Sequence, residues 1–93
     1  MDNKKIVADF INSMCKWVTK SFNDDKKANG YRYVVKDDNL AYLLADKGIE
    51  KRIKKQLFKR YSLKSFVRYE LNLTDKNYPN GDLIIELTEG MLW

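Results

Sequence analysis

The chain has 93 residues, 44 % of them hydrophobic and 13 % aromatic, and a formal net charge of +5. One small domain, 1–93, is expected; at this length it buries only ~60–65 % of its unfolded surface, which leaves little room for a deep active-site cavity. The apolar content argues against disorder, the absence of His excludes a Ser-His or Cys-His nucleophile pair and a His-based metal site, and no apolar run approaches the ~20 residues of a membrane helix.

The N-terminal stretch MDNKKIVADF has no uninterrupted apolar core and no small-residue cleavage site, so it does not read as a secretory signal. Residues 3–22 predict the first helix. At 100° per residue, Ile6, Val7, Phe10, Ile11, Met14, Cys15, Trp17, Val18 and Phe22 fall on one half of the wheel, with Asp9, Asn12, Lys16, Thr19 and Lys20 on the other. Asp2 is placed to cap its start, and the polar run NDDKKANG ends it at Gly30. Cys15 lies on the apolar half and is read as core. A lone Cys cannot form an internal disulfide, which points to a reducing, cytoplasmic setting.

YRYVVK (31–36) predicts a strand with Tyr31, Tyr33 and Val35 on one face. Asp37, Asp38 and Asn39 read as a tight turn, and LAYLLA (40–45) then follows as strand or helix. Leu and Ala favour helix, whereas the turn chemistry favours a hairpin, and the hairpin is the reading adopted. Residues 47–61 predict the second helix, with Asp46 as its cap and Ile49, Ile53, Leu57 and Tyr61 as a narrow buried stripe. SFVRYELNLT (65–74) alternates strictly, Val67, Tyr69, Leu71 and Leu73 inward, Arg68, Glu70 and Asn72 outward. Pro79-Asn80-Gly81 marks a turn, and DLIIELTE (82–89) is the last strand before Gly90-Met91-Leu92-Trp93. The expected fold is α+β, in α-β-β-α-β-β order, with two helices packed on one face of a mainly antiparallel sheet.

Charge is strongly segregated. Residues 47–68 hold nine of the 18 Lys and Arg and one of the 13 Asp and Glu, a local +8, while the rest of the chain, nine cations against twelve acids, is −3. Lys51, Arg52, Lys55 and Lys59 gather within about 100° of the second helix, and Lys47, Arg60, Lys64 and Arg68 stand near its ends. Solubility requires net charge, not segregated charge, so this face reads as a binding surface for an anionic partner. Lys outnumbers Arg 14 to 4, which favours diffuse attraction over bidentate base reading.

Other constellations carry less. The six Tyr sit mainly in strand or core-facing phases, with Tyr78 in a loop as the candidate for base stacking. Asp24-Asp25 and Asp37-Asp38 lack the ligand spacing of a calcium loop, and Thr88 stands where a nuclease-like Asp82…Glu86 pattern would need a catalytic Lys. No enzyme, metal or cofactor is expected. The apolar end Met91, Leu92 and Trp93 is a candidate anchor for a partner or for a second copy of the chain. Richness in Lys, Asn, Asp, Ile and Tyr hints at an AT-rich genome, such as that of a low-GC bacterium or one of its phages.

Two functions fit. In the first, a small non-enzymatic binding protein, a phage- or mobile-element-type inhibitor, docks on a host protein or nucleoprotein such as a nuclease, CRISPR effector or polymerase. Its contact residues are Lys51, Arg52, Lys55, Lys59, Arg60, Lys64, Met91, Leu92 and Trp93, and its target is an acidic protein surface. In the second, the same face binds nucleic acid with weak sequence preference. The small set of Arg and the lack of a helix-turn-helix, RNP, KH or zinc-finger pattern favour the first.

Overall fold

The computed structural model describes residues 3–27, 29–72 and 80–88. Six elements follow in order: α1 (Asn3–Asp24), β1 (Gly30–Val35), α2 (Asp38–Asp46), α3 (Ile49–Tyr61), β2 (Ser65–Asn72) and β3 (Asn80–Leu87). The class is α+β, with helices packed on one face of an antiparallel sheet. Among the described residues there are three helices and three strands, where two and four were expected.

The difference lies at residues 40–45, which are helical. Asp37 is an N-cap, not part of a hairpin turn: its backbone is extended and its carboxylate accepts a hydrogen bond from Leu40 N at 3.1 Å. Ala41 N donates to Asp37 O at 2.8 Å, closing the first turn. Ala41 and Leu44 are the buried residues of α2, so intrinsic helix propensity and a cap prevail over the hairpin pattern. Asp46 in turn ends α2 instead of capping the next helix. Gly48 takes the N-cap position of α3 in the left-handed region, φ 60°, with no side-chain cap.

The strand order is β1-β3-β2, with β3 antiparallel to both neighbours. The register sets residues in rows across the sheet. Tyr31, Ile85 and Val67 form one row, Tyr33, Leu83 and Tyr69 the next, and Val35, Gly81 and Leu71 a third. These rows face the helices and carry most of the sheet's buried side chains. Asn80 and Gly81, expected in a turn, open β3, and Gly81 leaves space for the Tyr69 ring, which a Cβ there would strike. The Tyr69 hydroxyl donates to Ala41 O at 2.7 Å and ties the sheet to α2.

α1 buries Val7, Ile11, Met14, Cys15, Val18 and Phe22. One margin of its stripe meets β1. Phe10 packs edge-on against Tyr33 at 6.0 Å, and Trp17 against Tyr31 at 5.6 Å and Tyr33 at 6.3 Å. Trp17 and Tyr33 are therefore semi-exposed partners at the sheet edge, 38 % and 42 % accessible, not members of the sealed core. The other margin meets α3, where Gln56 Nε2 donates to Asn12 Oδ1 at 2.7 Å and Cys15 lies beneath Ile53. Asp2, Leu73, Tyr78 and Pro79 lie outside the described residues. No described helix is long and apolar enough to cross a membrane.

Candidate partner-binding site

The expected stripe of α3 is confirmed: Ile49, Ile53 and Leu57 are buried, and Tyr61 is half-buried beside them. At 100° per residue the remaining arc runs Lys54, Phe58, Lys51, Lys55, Lys59, Arg52, and every one of these side chains is exposed. Phe58 is 55 % accessible, and it stands between Lys51, Lys54 and Lys55, one or two turns from each. An apolar ring held in water inside a cationic arc has no role in this core.

The end of α3 positions the next contributors. Ser62 adopts a left-handed conformation, φ 56°, and its N–H donates to Phe58 O at 3.0 Å while Leu63 N donates to Leu57 O at 3.0 Å. This paired helix stop reverses the chain at once. It brings Lys64 and Ser65, the first residue of β2, back alongside α3. The result is an open groove of about 430 Å³ lined by Lys51, Lys54, Lys55, Phe58, Lys64 and Ser65. Ser65 is only 3 % exposed, and its Oγ is buried with no hydrogen-bond partner among the described residues. A buried hydroxyl left unpaired costs about 1–3 kcal/mol.

A second groove of about 340 Å³ runs on the α1 side of the same ridge, lined in part by Arg52, Lys55, Gln56, Lys59 and Arg60. Lys55 thus borders both grooves. The structure divides the sequence-predicted cations accordingly: Lys51, Lys55 and Lys64 gather around Phe58, while Arg52, Lys59 and Arg60 flank the other side. Arg68 does not join them. It lies on the opposite face of the sheet, with Nε 3.4 Å from Glu70 Oε1. Arg32 on that face is bound in bidentate fashion by Asp82, Nε to Oδ1 at 2.7 Å and Nη2 to Oδ2 at 2.9 Å, which raises the guanidinium pKa. Asp82 is thereby a structural carboxylate. Lys47 stands at the α2–α3 turn, 3.9 Å from Asp46.

In contrast, none of Lys51, Arg52, Lys54, Lys55, Lys59 and Arg60 makes an ion pair with any described residue. Sequence reasoning missed Lys54, Phe58 and Ser65. The signal for Phe58 was present as an aromatic residue in the polar arc of an otherwise regular amphipathic helix. Met91, Leu92 and Trp93 lie outside the described residues, as does Tyr78. No group of three or more Cys, Asp or Glu suited to a metal ion occurs among the described residues. Cys15 is buried, and desolvation pushes its thiol up to about 11 although Arg60 opposes the shift. It is chemically quiet.

No protein-family model, curated protein or solved structure matches this chain.

Proposed function

We propose that this is a non-enzymatic binding protein that docks on an acidic protein surface through the exposed face of α3, with Phe58 as the apolar anchor and the surrounding lysines as the charged rim. The observation that carries this reading is the accessible Phe58 ring enclosed by Lys51, Lys54 and Lys55. Protein interfaces concentrate their energy in such central aromatic side chains, with charged groups around them steering the encounter. Six α3 cations that make no ion pair with any described residue supply that steering.

Nucleic acid fits the same face less well. Tracking a single strand requires successive stacking platforms along a basic groove. Phe58 is the one exposed aromatic among the described residues of α3, and Phe66 projects from the other face of the sheet with Arg68 and Glu70. A protein of this design acts by occupying a surface, as an inhibitor of an acidic or nucleic-acid-mimicking site on its target would. Phe58 takes the anchoring role that the sequence suggests for Met91, Leu92 and Trp93.

Photo-crosslinking tests it. With p-benzoylphenylalanine in place of Phe58, irradiation in the native cell extract should yield a discrete protein adduct that disappears in the Lys51→Glu, Lys55→Glu background. Adducts consisting of nucleic acid, or a protein adduct indifferent to charge reversal, would refute the reading.

A further inference from the structure

The α3 groove opens onto an unfinished sheet. β2 pairs with β3 on one side and with no described strand on the other. Thr88 N donates to Lys64 O at 2.9 Å, so Lys64 and Thr88 form a hydrogen-bonded pair that opens the β2–β3 ladder. In an antiparallel ladder these pairs alternate. With the observed register, Phe66, Arg68, Glu70 and Asn72 direct their backbone groups toward β3. The N–H and C=O groups of Ser65, Val67, Tyr69 and Leu71 therefore point to the outer edge, where no described residue pairs with them. Ser65 stands at the point where this edge meets the groove of Phe58, and its buried Oγ is a further polar group there with no partner among the described residues.

Resting on the reading of α3 as a protein-binding face, we propose that the partner supplies a fourth strand: an extended acidic segment pairs along the outer edge of β2, and its side chains engage Phe58 and the lysines of α3. Strand addition takes affinity from main-chain hydrogen bonds and specificity from alternate side chains. Here the alternate side chains on the helix side meet the Phe58 groove, and carboxylates there meet Lys51, Lys54 and Lys55. The same charge selects the occupant. A second copy of this chain pairing edge to edge would bring lysine clusters together, and cationic residues beside a free strand are a known guard against such pairing. An acidic segment of about five residues, the usual length of a strand, turns that guard into attraction.

The test uses the full chain and a defined probe, acetyl-Glu-Val-Glu-Phe-Glu-Val-Glu-amide, followed by NMR and amide hydrogen exchange. The peptide should bind in the micromolar-to-millimolar range, and the Lys-for-Glu peptide should not. In the free protein the amides of Ser65, Val67, Tyr69 and Leu71 should exchange readily, and saturation with peptide should slow them by about tenfold or more, one strand hydrogen bond's worth. Phe58→Ala and the Lys51→Glu, Lys55→Glu pair should each weaken binding by about tenfold, and full N-methylation of the peptide should abolish it. If the N-methylated peptide binds as well, with perturbations confined to α3, strand addition is wrong and the α3 reading stands. If neither peptide binds and an oligothymidylate does, both readings fall. Protection of the same amides that grows with protein concentration alone would assign the edge to a second copy and overturn the proposal.

Discussion

Gly81 and Tyr69 are a matched pair. The ring of Tyr69 occupies the volume that a side chain at Gly81 would need, and from there its hydroxyl reaches Ala41 O. Gly81→Ala should therefore push the ring aside and cost about 1–3 kcal/mol by overpacking, whereas Tyr69→Phe should cost about 1–2 kcal/mol by leaving a buried carbonyl without its donor. Urea melts of the two single variants and the double variant check this, with non-additivity expected because one contact is shared. A second residue-scale expectation concerns alkaline pH. Burial raises the Cys15 thiol from 9.0 to about 11. The unfolded chain loses this proton first, so the stability contribution is full below pH 9 and falls as pH rises toward 11, by about 2–3 kcal/mol for this group. Tyr69, raised by burial from 10.0 to about 12, acts in the same direction slightly later. Cys15→Ala should flatten the decline between pH 9 and 11 in chemical denaturation, and a slope identical to that of the parent protein would show that the thiol is not the titrating group.

At the scale of elements, Ser62 is the exposed weak point of the α3 stop. A left-handed conformation is unfavourable for a residue with a Cβ, by about 1–2 kcal/mol, and natural for glycine. Ser62→Gly should raise stability by about 0.5–1 kcal/mol in thermal or urea unfolding, net of the added freedom of the unfolded chain, and a loss of stability would mean that the observed φ of 56° is not the solution conformation. The elements also show what a sequence conveys. Strict alternation from Phe66 to Asn72 and the broad stripe of α1 announce a half-buried strand and a packed helix, because periodicity reports burial directly. Residues 37–45 were ambiguous for a physical reason: Asp-Asp-Asn serves equally as a turn or as a cap followed by a first helical turn, and only the hydrogen bond from Leu40 N to Asp37 distinguishes them. Phe58 and Ser65 were overlooked for a different reason. Residue type alone assigns an aromatic to the core and a serine to the surface, whereas the phase of α3 and of β2 assigns the reverse, and here phase prevails, with the two side chains 55 % and 3 % accessible.

For the molecule as a whole, the proposed docking role sets free stability against partner binding through the segregated charge. Lys51, Lys55 and Lys59 repeat at i, i+4 along α3, and each like-charge pair at that spacing costs about 0.2–0.5 kcal/mol of helix stability. The anions that offset other cations are elsewhere, Asp82 on Arg32 and Glu70 on Arg68 across the far face of the sheet. Raising salt from ~0.01 M to ~0.15 M shortens the Debye length from ~30 Å to ~8 Å. Screening at that level should relieve the repulsion along α3, so the melting temperature of the free protein should rise. The same screening should slow association with an acidic partner while leaving dissociation nearly unchanged, because rim charges act mainly on the encounter rate. Lys55→Glu should reproduce both effects at low salt. It converts two repulsive i, i+4 contacts into attractive ones, with Lys51 and Lys59, and should stabilise the free domain by about 0.5–1 kcal/mol. It also inverts the charge bordering both grooves and should weaken binding of the acidic peptide by about tenfold. Stability gained together with binding lost is the pattern of a surface kept for recognition, whereas Lys55→Glu that stabilises and still binds would reduce the α3 cations to a solubilising coat.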